Sequence, residues 1–215
     1  TWAEALSRAA AGLRSIIDGE GADAVAGLGG ARSTNEEAYV FGKFMRATVG
    51  TNHLDARLGD ALPARLLSGV PHRAAIDDLE RAGAVLVWGP DLKEELPVLY
   101  LRVRRAAARL GARLVVVHPR ATGLDPVAEH VLRYRPGEGA GMLRRLSEGE
   151  GEAAGARAAL EHGPLVAIVG RTGLAEDPRL AEAVAAFAEG FPGARVLPVA
   201  RRSNLYGALD MGVAP

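Results

Sequence analysis

Gly27-Leu-Gly29-Gly30-Ala-Arg32 follows an apolar run and precedes a helical pattern. This is half of a dinucleotide-binding fingerprint, in which glycines let the backbone approach a pyrophosphate at a helix N-terminus. The position of the last glycine is Arg32, and no acidic residue closes a second strand about 20 residues on. A tight strand-to-helix turn is therefore the expected reading. The five histidines, His53, His72, His118, His130 and His162, include no i, i+4 pair, so no helix presents two imidazoles to one metal. Asp77-Asp78, Glu94-Glu95 and Glu36-Glu37 are adjacent pairs. Neighbours on a helix point apart, so these do not form a paired-carboxylate acid–base site. No serine lies in a Gly-x-Ser-x-Gly setting, which argues against a hydrolase nucleophile. The chain has no cysteine, so no disulfide, thiolate metal site, iron–sulfur cluster or cysteine nucleophile can be built from it.

The elements that must position these residues alternate in type. Thr1-Trp-Ala-Glu4 is a capping box ahead of a helix carrying Leu6, Leu13, Ile16 and Ile17, and Ser33-Thr-Asn-Glu36 reads as a second box before a helix that ends near Gly50. Apolar runs predict strands near 24–28, 84–88, 113–117, 165–169 and 195–199, with a shorter one at 131–134. Residues 51–75 carry no clear period and read mostly as loop. Helices are predicted over 97–110, closed by Gly111, and in two pieces over 141–160, broken around 148–155. A further helix starts at Asp177-Pro178, as N-cap and first-turn proline, and ends at Gly190. Continuous apolar strands between helices predict a doubly wound, mostly parallel α/β sheet with helices on both faces. Its ligand-facing strand ends would be Gly89-Pro-Asp91, His118-Pro-Arg120-Ala-Thr122 and Gly170-Arg-Thr-Gly173.

The 215 residues suit one large α/β domain, with a possible subdivision into 1–147 and 156–215 at the only linker-like stretch. The 26 basic and 26 acidic residues cancel, so no nucleic-acid or anionic-membrane surface is advertised. No apolar stretch approaches the roughly 18 residues of a membrane span, and the first residues lack the basic and apolar regions of a signal peptide. The chain opens at Thr1 without Met and stops at Pro215 without an obvious final element, so both ends read as cut or processed boundaries.

The strand ends and their neighbours carry a family likeness. Arg32-Ser-Thr-Asn-Glu36-Glu, Gly50-Thr-Asn52, Asp55-Ala-Arg57, Gly89-Pro-Asp91 with Pro97, His118-Pro-Arg120-Ala-Thr122 and Arg135-Pro136-Gly137 together resemble the molybdopterin oxidoreductase superfamily. So does the final Asn204-Leu-Tyr-Gly207-Ala-Leu-Asp210-Met-Gly212-Val-Ala-Pro215. The likeness rests on order and spacing over nearly the whole chain, which would be the central portion of a much longer protein.

The departures from the family pattern set the expected function. Gly59 stands where some branches of the family place a metal-ligating side chain, with Asp60 beside it. The family's Asp-Pro-Arg has become His118-Pro119-Arg120, its Pro-Gly-Thr-Asp has become Pro136-Gly137-Glu138-Gly139, and its Gly-x-Asn-Pro has become Gly89-Pro90-Asp91-Leu92. Three lost contacts to a pterin guanine dinucleotide, at roughly 1–3 kcal/mol each, would weaken binding by orders of magnitude. Gly89, Asp91, His118, Arg120, Thr122, Pro136 and Gly137 would then be vestigial positions. One branch keeps the fold while dispensing with molybdenum: the large iron–sulfur subunit, lettered G, of NADH–quinone oxidoreductase (respiratory complex I). The resemblance to it implies a scaffold with no catalytic residue, metal or cofactor of its own, whose iron–sulfur clusters lie in N-terminal domains outside this chain. Its partners would be the other subunits of the complex, at the cytoplasmic face of the bacterial inner membrane, with no nucleic acid and no direct membrane insertion. The alternatives are a fragment of a formate dehydrogenase-like or nitrate reductase-like molybdopterin enzyme, or an unrelated small-molecule-binding α/β domain. A Cys-rich region with a ferredoxin-type cluster pattern before Thr1 would favour the first reading, and a single short four-Cys cluster the second.

Overall fold

Two compact units make up the computed structural model, which describes residues 1–56, 62–171, 173 and 175–214. One comprises Thr1–Asp60 with Arg202–Pro215, the other Ala61–Arg201.

In the first unit, Thr1 caps helix α1 (Trp2–Glu20) through the expected reciprocal box with Glu4. No residue of α1 is buried; Leu13 and Ile17 rest against a small core of Val25, Met45, Val49 and Leu54. The apolar run predicted at 24–28 contributes only β1 (Gly27–Leu28), because the preceding Ala22–Ala24 turns as a 3-10 helix. The second capping box sits one residue later than predicted: Thr34 Oγ1 accepts from the Glu37 N–H at 3.2 Å, and a Glu37 carboxylate oxygen accepts from the Thr34 N–H at 2.9 Å. Ser33 and Thr34 are each followed three residues later by Glu, so the sequence pattern allowed either. Helix α2 (Asn35–Lys43) follows and passes into π-helical residues Phe44–Val49 before Gly50. Within the stretch read as loop, β2 (Leu54–Asp55) pairs in parallel with β1.

The second unit begins, among its described residues, with α3 (Ala64–Ser68) and then β3 (Ala84–Trp88), whose five residues are all buried. A short α4 (Leu92–Glu95) and α5 (Pro97–Arg109) lead to β4 (Arg113–Val117), β5 (His130–Leu132), α6 (Gly139–Glu148) and α7 (Ala153–Ala159). After these come β6 (Leu165–Val169), α8 (Leu180–Glu189) and β7 (Arg195–Pro198). All five strands are parallel, in the order β5-β4-β3-β6-β7. The fold class is the doubly wound α/β one that the alternation of runs predicts, although 24–28 lies outside this sheet. The expected start of α8 moves from Asp177-Pro178 to Leu180, because Asp177 closes a turn: its side chain accepts from the Arg179 N–H at 2.8 Å and its carbonyl from the Leu180 N–H at 2.9 Å.

Side chains alternate between the faces of this sheet. Val85, Val87, Leu114, Val116, Val166 and Ile168 pack with Leu99, Val103 and Ala106 of α5 on one face. On the other lie α7, against β4 and β5, and α8, against β6 and β7, with α6 packed on both helices. Each fully buried Val, Leu or Ile contributes about 1.5–3 kcal/mol, so the central strands are the energetic heart of this unit. Helix α9 (Leu205–Asp210) belongs to the first unit and packs on α2.

Candidate functional site

In the second unit, the strand order steps outward from β3 through β4 to β5 on one side and from β6 to β7 on the other. The strand order therefore reverses between β3 and β6, where open α/β sheets receive ligands beyond the carboxyl ends of their strands. The sequence-predicted positions gather at this crest. β3 ends at Trp88, and Gly89, with φ +101°, turns the chain in a conformation that favours glycine. Asp91 is 6% exposed, and its buried Oδ1 has no hydrogen-bond partner among the described residues. Its N–H donates to Glu95 Oε1 at 3.3 Å, and Arg201 grips the same Glu95 carboxylate with two bonds of 2.8 and 3.2 Å.

One strand over, His118 is 4% exposed. Its Nδ1 lies 3.0 Å from both the N–H and the carbonyl oxygen of Arg120. Burial holds its pKa below the ordinary histidine value, with the Arg120 carbonyl and the Asp91 carboxylate opposing that shift. The ring thus folds back on its own loop. Thr122 donates to Asp125 Oδ1 at 2.8 Å; Arg133 pairs with Asp125 and donates to the His118 carbonyl at 3.1 Å. Asp125 and Arg133 are tying residues that sequence reading missed. Arg120 and Pro136 are exposed and Gly137 has φ +89°, while Gly139 is buried at the first turn of α6.

A residue with no sequence signal completes the crest. Glu176, 7% exposed, accepts the Gly137 N–H at 3.0 Å. Together with Leu62, Trp88, Gly170 and Leu180 it lines a crevice that retains about 10 Å³, roughly the room one water needs. Trp88 is 1% exposed, with its ring centroid 6.0 Å from that of Tyr134.

In the first unit the Gly-rich turn serves packing. The N–H groups of Gly27 and Gly29 donate to the carbonyls of His53 and Asp55 at 2.8 and 2.9 Å. A Cβ on Gly27 would meet Leu54 at 2.7 Å, and one on Gly29 would meet Val213 at 2.7 Å. Glu37 already fills the N-terminus of α2. The family-like motifs bind one another: Asn204 Nδ2 donates to the Ser33 carbonyl at 2.8 Å and to Asn35 Oδ1 at 2.9 Å, while Arg46 donates to Asn52 Oδ1 at 2.6 Å and to the Gly212 carbonyl at 2.7 Å. Among the described residues, no group of three or more His, Asp or Glu is placed to hold a metal ion. Gly59 and Asp60 lie outside the described residues.

The profile of the family described as Molybdopterin oxidoreductase matches residues 1–142. The chain belongs to the molybdopterin oxidoreductase family. Over 100% of its length this molybdopterin oxidoreductase domain is 34% identical to the NADH-quinone oxidoreductase subunit lettered G of Mycobacterium tuberculosis, covering 26% of that protein. It is 40% identical to NADPH-Fe(3+) oxidoreductase subunit alpha of Geobacter sulfurreducens over 68% of the chain and 18% of that protein. The assimilatory nitrate reductase of Haloferax mediterranei is 33% identical over 68% of the chain and 21% of that protein. Acetylene hydratase from Pelobacter acetylenicus shares the fold, with a TM-score of 0.57 over 98% of this chain and 31% of that one, at 18% identity. The chain thus spans between 18% and 26% of the length of these three curated relatives.

Proposed function

We propose that this domain is a scaffold within the large, G-type subunit of an NADH–quinone oxidoreductase, and that it has lost the site for a pterin guanine dinucleotide. The observation that carries the assignment is the likeness to the mycobacterial G-type subunit over the whole chain; the likeness to the iron-reducing and nitrate-reducing relatives stops at 68% of it. The crest supports the loss. A dinucleotide needs polar partners facing open space, but His118 turns back on Arg120, Glu176 holds the Gly137 N–H, and the crevice that described residues line beside Trp88 has room for about one water. These residues do not fit the group. Support of electron transfer from NADH to quinone would then be mechanical: the domain braces cluster-bearing parts of the parent polypeptide and neighbouring subunits. No helix of the described residues is long and apolar enough to cross a membrane, which suits a peripheral position at the cytoplasmic face.

A second reading, a piece of a working molybdopterin reductase, draws on the nitrate reductase relative. Deleting the segment matching residues 1–215 from the parent gene separates the two. The scaffold reading predicts that the respiratory complex fails to assemble on native gels. An intact complex, with loss of a formate- or nitrate-dependent activity instead, would overturn it.

A further inference from the structure

Helix α6 starts without a cap of its own. Its N-cap residue Glu138 makes no side-chain capping bond, and no acidic residue lies in its first turn. The free N–H groups and positive dipole end of such a terminus attract an anion. Glu176 supplies one from 39 residues away, accepting the Gly137 N–H at 3.0 Å. A carboxylate 7% exposed is costly to bury, and among the described residues no basic side chain is paired with it. Among the described residues its hydrogen bond is to the N–H of Gly137, the residue just before the N-cap of α6. The first turn of α6 and the start of α8 lie close together. A Cβ added to Gly139 would stand 2.8 Å from Glu176 Oε2 and 2.4 Å from Leu180 Cδ2. A side chain at position 139 would have to displace the ends of Glu176 and Leu180, so glycine suits the close approach of the first turn of α6 to the start of α8.

We infer that Glu176 is an internal latch: its carboxylate serves as the built-in anion of α6 and holds the entry of α8 against it, closing the crest over Trp88. The latch rests on the reading that the domain carries no dinucleotide, and it explains what fills the place. An acidic residue at position 139 would have to displace the side-chain ends of Glu176 and Leu180 that now hold that space, and with them the latch.

Trp88 reports on the latch. The other tryptophan, Trp2, is 84% exposed, so a Trp2→Phe background isolates the Trp88 emission. In that background the full chain is compared with its Glu176→Ala and Glu176→Gln variants by acrylamide quenching of Trp88 and by amide exchange at Gly137. The Ala variant is expected to quench severalfold more readily and to exchange Gly137 roughly tenfold faster, the scale of one lost charge-assisted hydrogen bond. The Gln variant, which keeps an acceptor of the same shape without the charge, falls between them. Should the Ala variant not fold, as judged by far-UV circular dichroism, the Gln variant alone must still exceed the parent chain in both readouts. Parent values of quenching and exchange in the folded variants would overturn the latch. That failure is distinct from failure of the scaffold reading, which would appear as a guanine nucleotide released from the unmutated parent protein.

Discussion

At the scale of residues, His118 and Glu95 are the groups whose burial can be tested. His118 is buried, and burial lowers its pKa from the ordinary 6.5, so folding favours the neutral ring. The unfolded chain then takes up the proton first as pH falls. The stabilising effect is fully present above 6.5 and is lost progressively below that value. His118→Asn, which keeps a polar side chain but cannot titrate, is expected to flatten the fall in unfolding midpoint between about pH 7 and pH 5. Urea titrations at both pH values check this. Arg201→Ala would leave the Glu95 carboxylate, 16% exposed, without its two-bond partner. The expected cost is about 1–3 kcal/mol, measured as a lower urea midpoint with an unchanged slope.

Elements differ in how plainly the sequence announces them. The strands at 84–88, 113–117 and 165–169 fall where their apolar runs predict, because both faces of each are covered and nearly every residue is buried. β1 and β2 are two residues each, too short to show a period, so the 24–28 run overstated one and nothing marked the other. Asp177-Pro178 carries a helix-start signature, yet its bonds close a turn before α8 begins. The strand-end positions of the candidate site were legible because a doubly wound sheet sends them to one crest. Glu176 was not, since only the tertiary fold brings it to Gly137. Close approach between elements gives a further expectation. A Cβ on Gly83, just before β3, would stand 2.2 Å from the backbone carbonyl of His162, which has no flexible end to yield. Gly83→Ala should therefore destabilise the second unit by roughly 1–3 kcal/mol or more, lowering the thermal midpoint. Gly207→Ala, whose Cβ would fall 2.0 Å from Asn35 Oδ1, should similarly disrupt the Asn204–Asn35 bond of the first unit, visible as a changed side-chain amide resonance of Asn204.

For the whole molecule, the family fold and the departures at its crest must be read together. The chain belongs to a family named for a molybdopterin group, and on the proposed reading its crest is filled from within by residues the chain supplies. Scaffold and enzyme readings predict different contents for the protein as it occurs in the cell. The most direct measurement is the guanine nucleotide released by acid denaturation of the purified parent protein, quantified per chain by chromatography, with molybdenum and tungsten measured by mass spectrometry on the same sample. The scaffold account predicts neither a guanine nucleotide nor either metal in stoichiometric amount. One guanine nucleotide released per chain, or one equivalent of molybdenum or tungsten, would contradict it.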